Sequence, residues 1–254
     1  MITLSNGHKF EYVVASGALA DVNGWLWERP LVWLGLIRPE LFTVFIKSLT
    51  RHPRVGNLCW WKPWTWLPFS PWSCVRFLPG GAVNKVGLTN PGIEWWCQKV
   101  GPRLDFQKFA IAGSIFGEES ELVEMAGMLN KFDLKALEIN VSCPNADHDS
   151  QTETIVRCVE LVKMVSRHPL IIKVSVDQDY LEIAKRLFGI AEAISFNSVP
   201  WKMIYPGIES PLRKLEKKLV VEEAVFLESQ LKATTGWPLR PWQCTLLHQL
   251  SLQV

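Results

Sequence analysis

The stretch Glu138-Ile139-Asn140-Val141-Ser142-Cys143-Pro144-Asn145 changes character midway. With Ala136 and Leu137 before it, its first half is a short apolar run of the kind that forms a buried parallel strand. Its second half is a polar loop. Cys143 stands beside Pro144, a poor place for a thiol that merely packs. A thiol there can act as a base or nucleophile when its surroundings favour the thiolate. Asn140 and Asn145 can each donate and accept hydrogen bonds, which suits a heterocycle with amide edges.

Five runs resemble that strand: residues 12–16, 42–47, 109–113, 170–175 and 193–197. Between the later ones lie helical candidates at 118–131, 152–167 and 179–187. Glu118, Glu119 and Asp179 put acid at first turns, where the helix dipole favours it. Strands alternating with helices imply βα units and a parallel sheet. Polar residues recur where the strands end: Ser16-Gly17, Lys47-Ser48, Asn140 to Asn145, Lys173 with Ser175, and Asn197-Ser198. In a closed βα barrel those ends meet at one face, where ligands bind. The fold expected is therefore α/β, a TIM (β/α)8 barrel, with six of its eight units recognisable. Lys173 is unusual in this frame, because a buried lysine needs an anion or acceptor.

The totals agree with one large domain. The chain has 254 residues, and such barrels need about 250. Hydrophobic residues make up 48% and charged residues 20%, enough for a sizeable core. A net charge of +2 gives no electrostatic case for nucleic acid. Of the six cysteines, no two form a CxxC pair, and no histidine cluster completes a zinc site. The first residues lack the basic-then-apolar order of a signal peptide, so reduced thiols in a cytoplasmic protein are expected. No apolar run reaches the length of a membrane span. The Trp/Pro-rich segment 60–72 is broken by Lys62, Pro63, Pro68 and Pro71 and cannot be one helix. It reads as a surface or packing loop, with a membrane or partner contact as the alternative.

The loop Asn140-Val-Ser-Cys-Pro-Asn145 resembles the active-site loop of the soluble, cysteine-using dihydroorotate dehydrogenases. Other segments agree in order. Val13-Val14-Ala15-Ser16-Gly17 resembles the family's first strand, which lies along the flavin. Thr43-Val44-Phe45-Ile46-Lys47-Ser48 resembles the second, whose lysine sits by flavin and substrate. Asn84-Lys85-Val86-Gly87-Leu88-Thr89-Asn90-Pro91-Gly92 looks like the substrate loop. Ile172-Lys173-Val174-Ser175 resembles the flavin-binding lysine strand, and Ile194-Ser195-Phe196-Asn197-Ser198 the later Asn-Ser/Thr pair. The resemblance covers roughly residues 4–210.

The resemblance implies FMN-dependent oxidation of dihydroorotate to orotate in pyrimidine synthesis. Cys143 would take a proton next to a carbonyl while hydride leaves the adjacent carbon for the flavin. Asn84, Asn140, Asn145, Asn197 and Ser198 would bind the pyrimidine and its carboxylate, with the backbone around Gly87 and Leu88. Lys47 would bring positive charge to both flavin and substrate. Ala15, Ser16, Gly17, Ser48, Asn140 and Lys173 would line the FMN. The electron acceptor would be a small molecule or a partner flavoprotein, and a homodimer is compatible with the pattern. The pyrimidine-reducing domain of dihydropyrimidine dehydrogenase has similar motifs. An inactive family member acting as a binding scaffold is the other alternative.

The pattern fails after residue 210. The family continues with Gly-Gly-x-Ser-Gly and two strands that hold the flavin phosphate. Here residues 210–231 form a charged, Leu/Val/Glu-rich run that reads as a helix in an irregular tail, 211–254. Valine, glutamate and alanine codons all begin with G. If each preceding codon ends in G, a two-base shift reads Leu219 to Val225 as consecutive glycines, and the tail from about Leu215 is expected to be out of frame. Weak or absent FMN retention is the corresponding expectation.

Overall fold

The computed structural model describes residues 2–16, 18–19, 21–24, 28–57, 75–78, 81–84, 86–142, 152–176, 178–196, 199–200 and 223–226. In chain order its elements are β1 (Ile2–Thr3), β2 (Lys9–Phe10), β3 (Val13–Val14), α1 (Arg29–Trp33), β4 (Thr43–Phe45), β5 (Val75–Leu78), β6 (Gly81–Asn84), α2 (Ile93–Lys99), β7 (Ala110–Ile115) and α3 (Glu119–Leu129). They continue as β8 (Leu137–Asn140), α4 (Thr152–Val165), β9 (Leu170–Val174), α5 (Tyr180–Arg186), β10 (Ala193–Phe196), β11 (Val199–Pro200) and β12 (Glu223–Phe226).

The six apolar runs become one six-stranded sheet of order β10-β9-β8-β7-β4-β3. Every neighbouring pair in it is parallel. With its helices it forms a curled half-barrel, an incomplete α/β TIM barrel. The three expected helices are present. Glu118 and Glu121 close a capping box at the start of α3, and Asp179 accepts from the Glu182 N–H at the start of α5.

Alternation along the strands gives each face a different task. Val44, Ile111, Leu137, Ile139, Leu170, Ile172 and Ile194 share one cluster with Leu122, Met125, Leu129, Val159 and Val162 of α3 and α4. Each such side chain, fully buried, contributes roughly 1.5–3 kcal/mol. The opposite parity faces the barrel interior. Its lowest layer is Phe45, Ala112, Ala136, Ile171 and Ala193, which pack with Ile2, Leu4 and Phe10 of the amino-terminal hairpin. The β1–β2 hairpin thus plugs the bottom. Ser5 donates to Glu192, Asn6 donates to the Lys135 carbonyl, and His8 Nε2 pairs with Thr43 Oγ1 at 2.8 Å.

A second sheet, β11-β12-β6-β5, is antiparallel throughout. It corrects the helix expected over 210–231, because residues 223–226 within that span are strand β12. Its four residues pair with the whole of β6, Glu223 opposite Asn84 and Phe226 opposite Gly81. Val225 and Phe226 favour extended backbone, and an available sheet edge outweighs helix propensity. The rest of 210–231 and the segment 60–72 lie outside the described residues.

Candidate functional site

Above the apolar layer the barrel interior turns polar. Two residues up each strand from Ala112, Ala136 and Ile171 come Ser114, Glu138 and Lys173, all buried. The register sets Ser114 beside Glu138, and Lys173 beside both Asn140 and Ser195. Their side chains form one connected row. Lys173 Nζ donates to Ser16 Oγ at 2.8 Å and lies 3.6 Å from Glu138 Oε1. Ser114 Oγ donates to the same carboxylate oxygen at 2.7 Å, and the Ser48 and Ser114 hydroxyls bond each other at 2.7 Å. Asn140 Nδ2 donates to Ser48 Oγ at 3.1 Å, while Asn140 Oδ1 accepts from the Ser142 amide and hydroxyl. The row therefore runs from the end of β3 to the residue before Cys143. Lys173 has the anion that a buried lysine requires, and that anion is Glu138.

The start of the Cys143 loop is held from the next strand as well. The Val141 amide donates to the Lys173 carbonyl, and Gln178 Nε2 donates to the Val141 carbonyl. Gln178 in turn accepts from the Ser175 amide. These bonds fix the point from which the loop departs.

The loop after β6 is built around Asn90. Its Nδ2 donates to Thr50 Oγ1 and to the Leu88 carbonyl, and its Oδ1 accepts from Gly92 N. It thereby staples this loop to the segment leaving β4. Gly87 and Leu88 both have positive φ, 69° and 56°. That is ordinary for glycine and strained for leucine. Gly56 packs so closely that an added Cβ would stand 2.1 Å from Thr89 Oγ1.

Of the expected site residues, Ser16, Ser48, Asn140 and Lys173 come together in the one row. Ala15 is buried at the end of β3, immediately before Ser16. Lys47 follows Phe45 with the inward parity. Gly87 and Leu88 form the turn just described. Asn84 ends β6, where its backbone pairs with Val75 and Glu223. Gly17, Cys143, Asn145, Asn197 and Ser198 lie outside the described residues. Sequence reasoning missed Ser114, Glu138, Asn90, Thr50 and Gln178. Glu138 carried a signal, a charge inside an otherwise apolar strand; the others become visible only through their partners.

Two other cysteines are described, Cys97 and Cys158, both buried and free. Burial pushes both thiols up, so each is a poorer nucleophile than an ordinary cysteine. Among the described residues no group of His, Cys, Asp and Glu could hold a metal ion, and no helix is long and apolar enough to cross a membrane.

A family model described as dihydroorotate dehydrogenase matches residues 36–205. Similar curated proteins carry the name dihydroorotate dehydrogenase B (NAD(+)), catalytic subunit. The one from Thermoanaerobacter pseudethanolicus is 27% identical over 209 residues, which is 73% of this chain and 64% of that protein. The one from Carboxydothermus hydrogenoformans is 30% identical over 143 residues, 54% of this chain and 42% of that protein. The one from a Geobacillus species is 31% identical over 156 residues, covering 58% and 46%. The chain thus spans between about two fifths and two thirds of these relatives' length. Strand order, the graded barrel interior and the family match agree: the chain belongs to the dihydroorotate dehydrogenase family.

Proposed function

We propose that this chain oxidises dihydroorotate to orotate in pyrimidine (UMP) synthesis, with FMN as its cofactor and Cys143 as the base. The observation that carries the reading is the polar row ending at Ser142. It brings Ser16, Lys173, Ser48 and Asn140 to the mouth of the half-barrel beside the residue that precedes Cys143.

The donor set fits the edge of a flavin ring. Lysine has three N–H donors. One on Lys173 meets Ser16 and another direction faces Glu138, which leaves one for a ring acceptor. Ala15, Ser16 and Ser48 have small side chains, which suit a flat ring at the strand ends, and Gly17 is assigned to the same lining. FMN, when bound, supplies the acceptor for the hydride. The protein's own share is positioning and proton transfer. Cys143 accepts the proton from the carbon next to a carbonyl. Asn84, Asn140, Asn145, Asn197 and Ser198 orient the pyrimidine, the Gly87-Leu88 turn presents backbone to it, and Lys47 balances its carboxylate. Asn140 is shared by ring and substrate, so its anchoring to Ser48 and Ser142 aligns the two.

The relatives' names include NAD(+) and a catalytic subunit, which favours a partner flavoprotein as electron acceptor over a free small molecule. A cytoplasmic location and a homodimeric core accompany this reading. The test is orotate formation from dihydroorotate by purified protein supplied with FMN. Cys143→Ala is expected to lower the rate by about 10²-fold or more. Full activity in that variant would remove the base assignment. A chain that neither binds FMN nor forms orotate would instead support the inactive scaffold alternative.

A further inference from the structure

Glu138 is fully buried in β8, and only half of it is used. Oε1 accepts from Ser114 and faces Lys173 at 3.6 Å. Oε2 has no hydrogen-bond partner among the described residues. Burying a carboxylate carries a desolvation cost, and an opposite charge offsets it only when hydrogen bonds satisfy the rest of the group. That condition is not met here, so the pair is a poor device for stability. A methionine and a glutamine of similar volume would fill the same space.

We infer that Glu138 is a positioning residue for the cofactor: its carboxylate aims the Lys173 ammonium at the flavin ring and offsets its charge there. This rests on the FMN reading above. Three geometric facts carry it. Lys173 is held from two sides, by Ser16 and by Glu138, which take up two of the three N–H directions of its ammonium. Glu138 sits below Asn140 on the same inward face, so its charge lies under the mouth and not at the surface. Ser114 pins the carboxylate to the neighbouring strand, which keeps that charge fixed relative to Ser48. The pair therefore presents a directed hydrogen-bond donor with little net positive field. Reduced flavin carries more negative charge than oxidised flavin, so removing Glu138 unmasks a cation that favours the reduced form.

The experiment titrates the chain with oxidised FMN and, under anaerobic conditions, with dithionite-reduced FMN. The ratio of the two dissociation constants reports the shift in flavin potential without any turnover. Glu138→Gln keeps an acceptor for Ser114 but removes the charge. It is expected to move the ratio at least tenfold toward reduced FMN, equivalent to about 30 mV for a two-electron couple. Glu138→Asp retains the charge and should stay within threefold of the parent. Should Glu138→Gln not fold, Lys173→Met carries the test: it leaves the carboxylate uncompensated, and the ratio must move at least tenfold the other way. An unchanged ratio in the folded variant overturns the inference while leaving the flavin reading intact. A parent chain that binds neither form of FMN overturns that reading, and this inference with it.

Discussion

Asn140 Nδ2 donates to Ser48 Oγ across 3.1 Å, so the strand that leads into Cys143 and the strand that leads past Lys47 are joined by one buried hydrogen bond at their carboxyl ends. The two residues are 92 positions apart in the chain. Replacing Asn140 by alanine removes that bond and also the Oδ1 that accepts from the Ser142 amide and hydroxyl. A buried donor left unsatisfied costs about 1–3 kcal/mol. Asn140→Ala should therefore lose about 2 kcal/mol in urea denaturation, together with most of any orotate-forming activity. Retained stability would show that the Asn140 bonds do not hold these strand ends together.

The turn after β6 is sensitive to a single methyl group. Gly56 has φ of +54°, and its added Cβ would meet Thr89 Oγ1 at 2.1 Å and the Val86 carbonyl oxygen at 2.6 Å. Gly56→Ala should cost about 2 kcal/mol or more through overpacking and left-handed backbone strain. Leu88→Gly should act in the opposite sense and relieve about 1 kcal/mol. Thermal denaturation of the two variants checks both signs.

Acid should weaken the fold through two imidazoles. Burial, followed by the Lys135 charge, holds His8 below its ordinary 6.5. Burial chiefly, with Arg167 adding to it, does the same for His168, against the bond its Nε2 makes to the Leu129 carbonyl. The unfolded chain therefore binds more protons between the depressed folded values and 6.5. Stability is complete above 6.5 and is lost as pH falls through the folded values. The melting temperature should drop progressively below pH 6.5. His168→Gln, which can still donate to Leu129, should flatten part of that slope; an unaltered slope would discard the assignment to His168.

Phe10 packs against Phe45 with ring centroids 6.0 Å apart. It reaches the barrel floor from a two-residue strand. Phe10→Ala should destabilise by about 3 kcal/mol, read from the urea midpoint. A loss below 1 kcal/mol would mean that the hairpin is not the floor of the core.

The six parallel strands were legible because strands buried on both faces are continuous apolar runs, such as Leu170 to Val174. Asp179 and the Glu118/Glu121 pair marked helix starts for the same reason they cap them. The β1–β2 hairpin was not legible: two-residue strands such as Lys9–Phe10 are too short for any period to show. Helix α2 at Ile93–Lys99 was hidden by its length and its tryptophans. The run around Glu223 to Phe226 looked helical because its composition is helical; its pairing with β6 is a tertiary fact. At the site, Lys173 announced that it needed an anion, but only the register identified Glu138, since partners 35 residues apart leave no local pattern.

The hairpin's ties also impose an order of events on folding. Ser5 hydrogen-bonds Glu192, 187 positions away. At synthesis rates of about 5–20 residues per second, roughly 10–40 s separate the appearance of the two. During that interval Ile2, Leu4 and Phe10 have their own strand partners but lack the Ala193 and Ile171 surface that later covers them. The hairpin is thus made well before the surface that shelters it, and its apolar face is what a nascent chain would show to chaperones, or to another copy of itself.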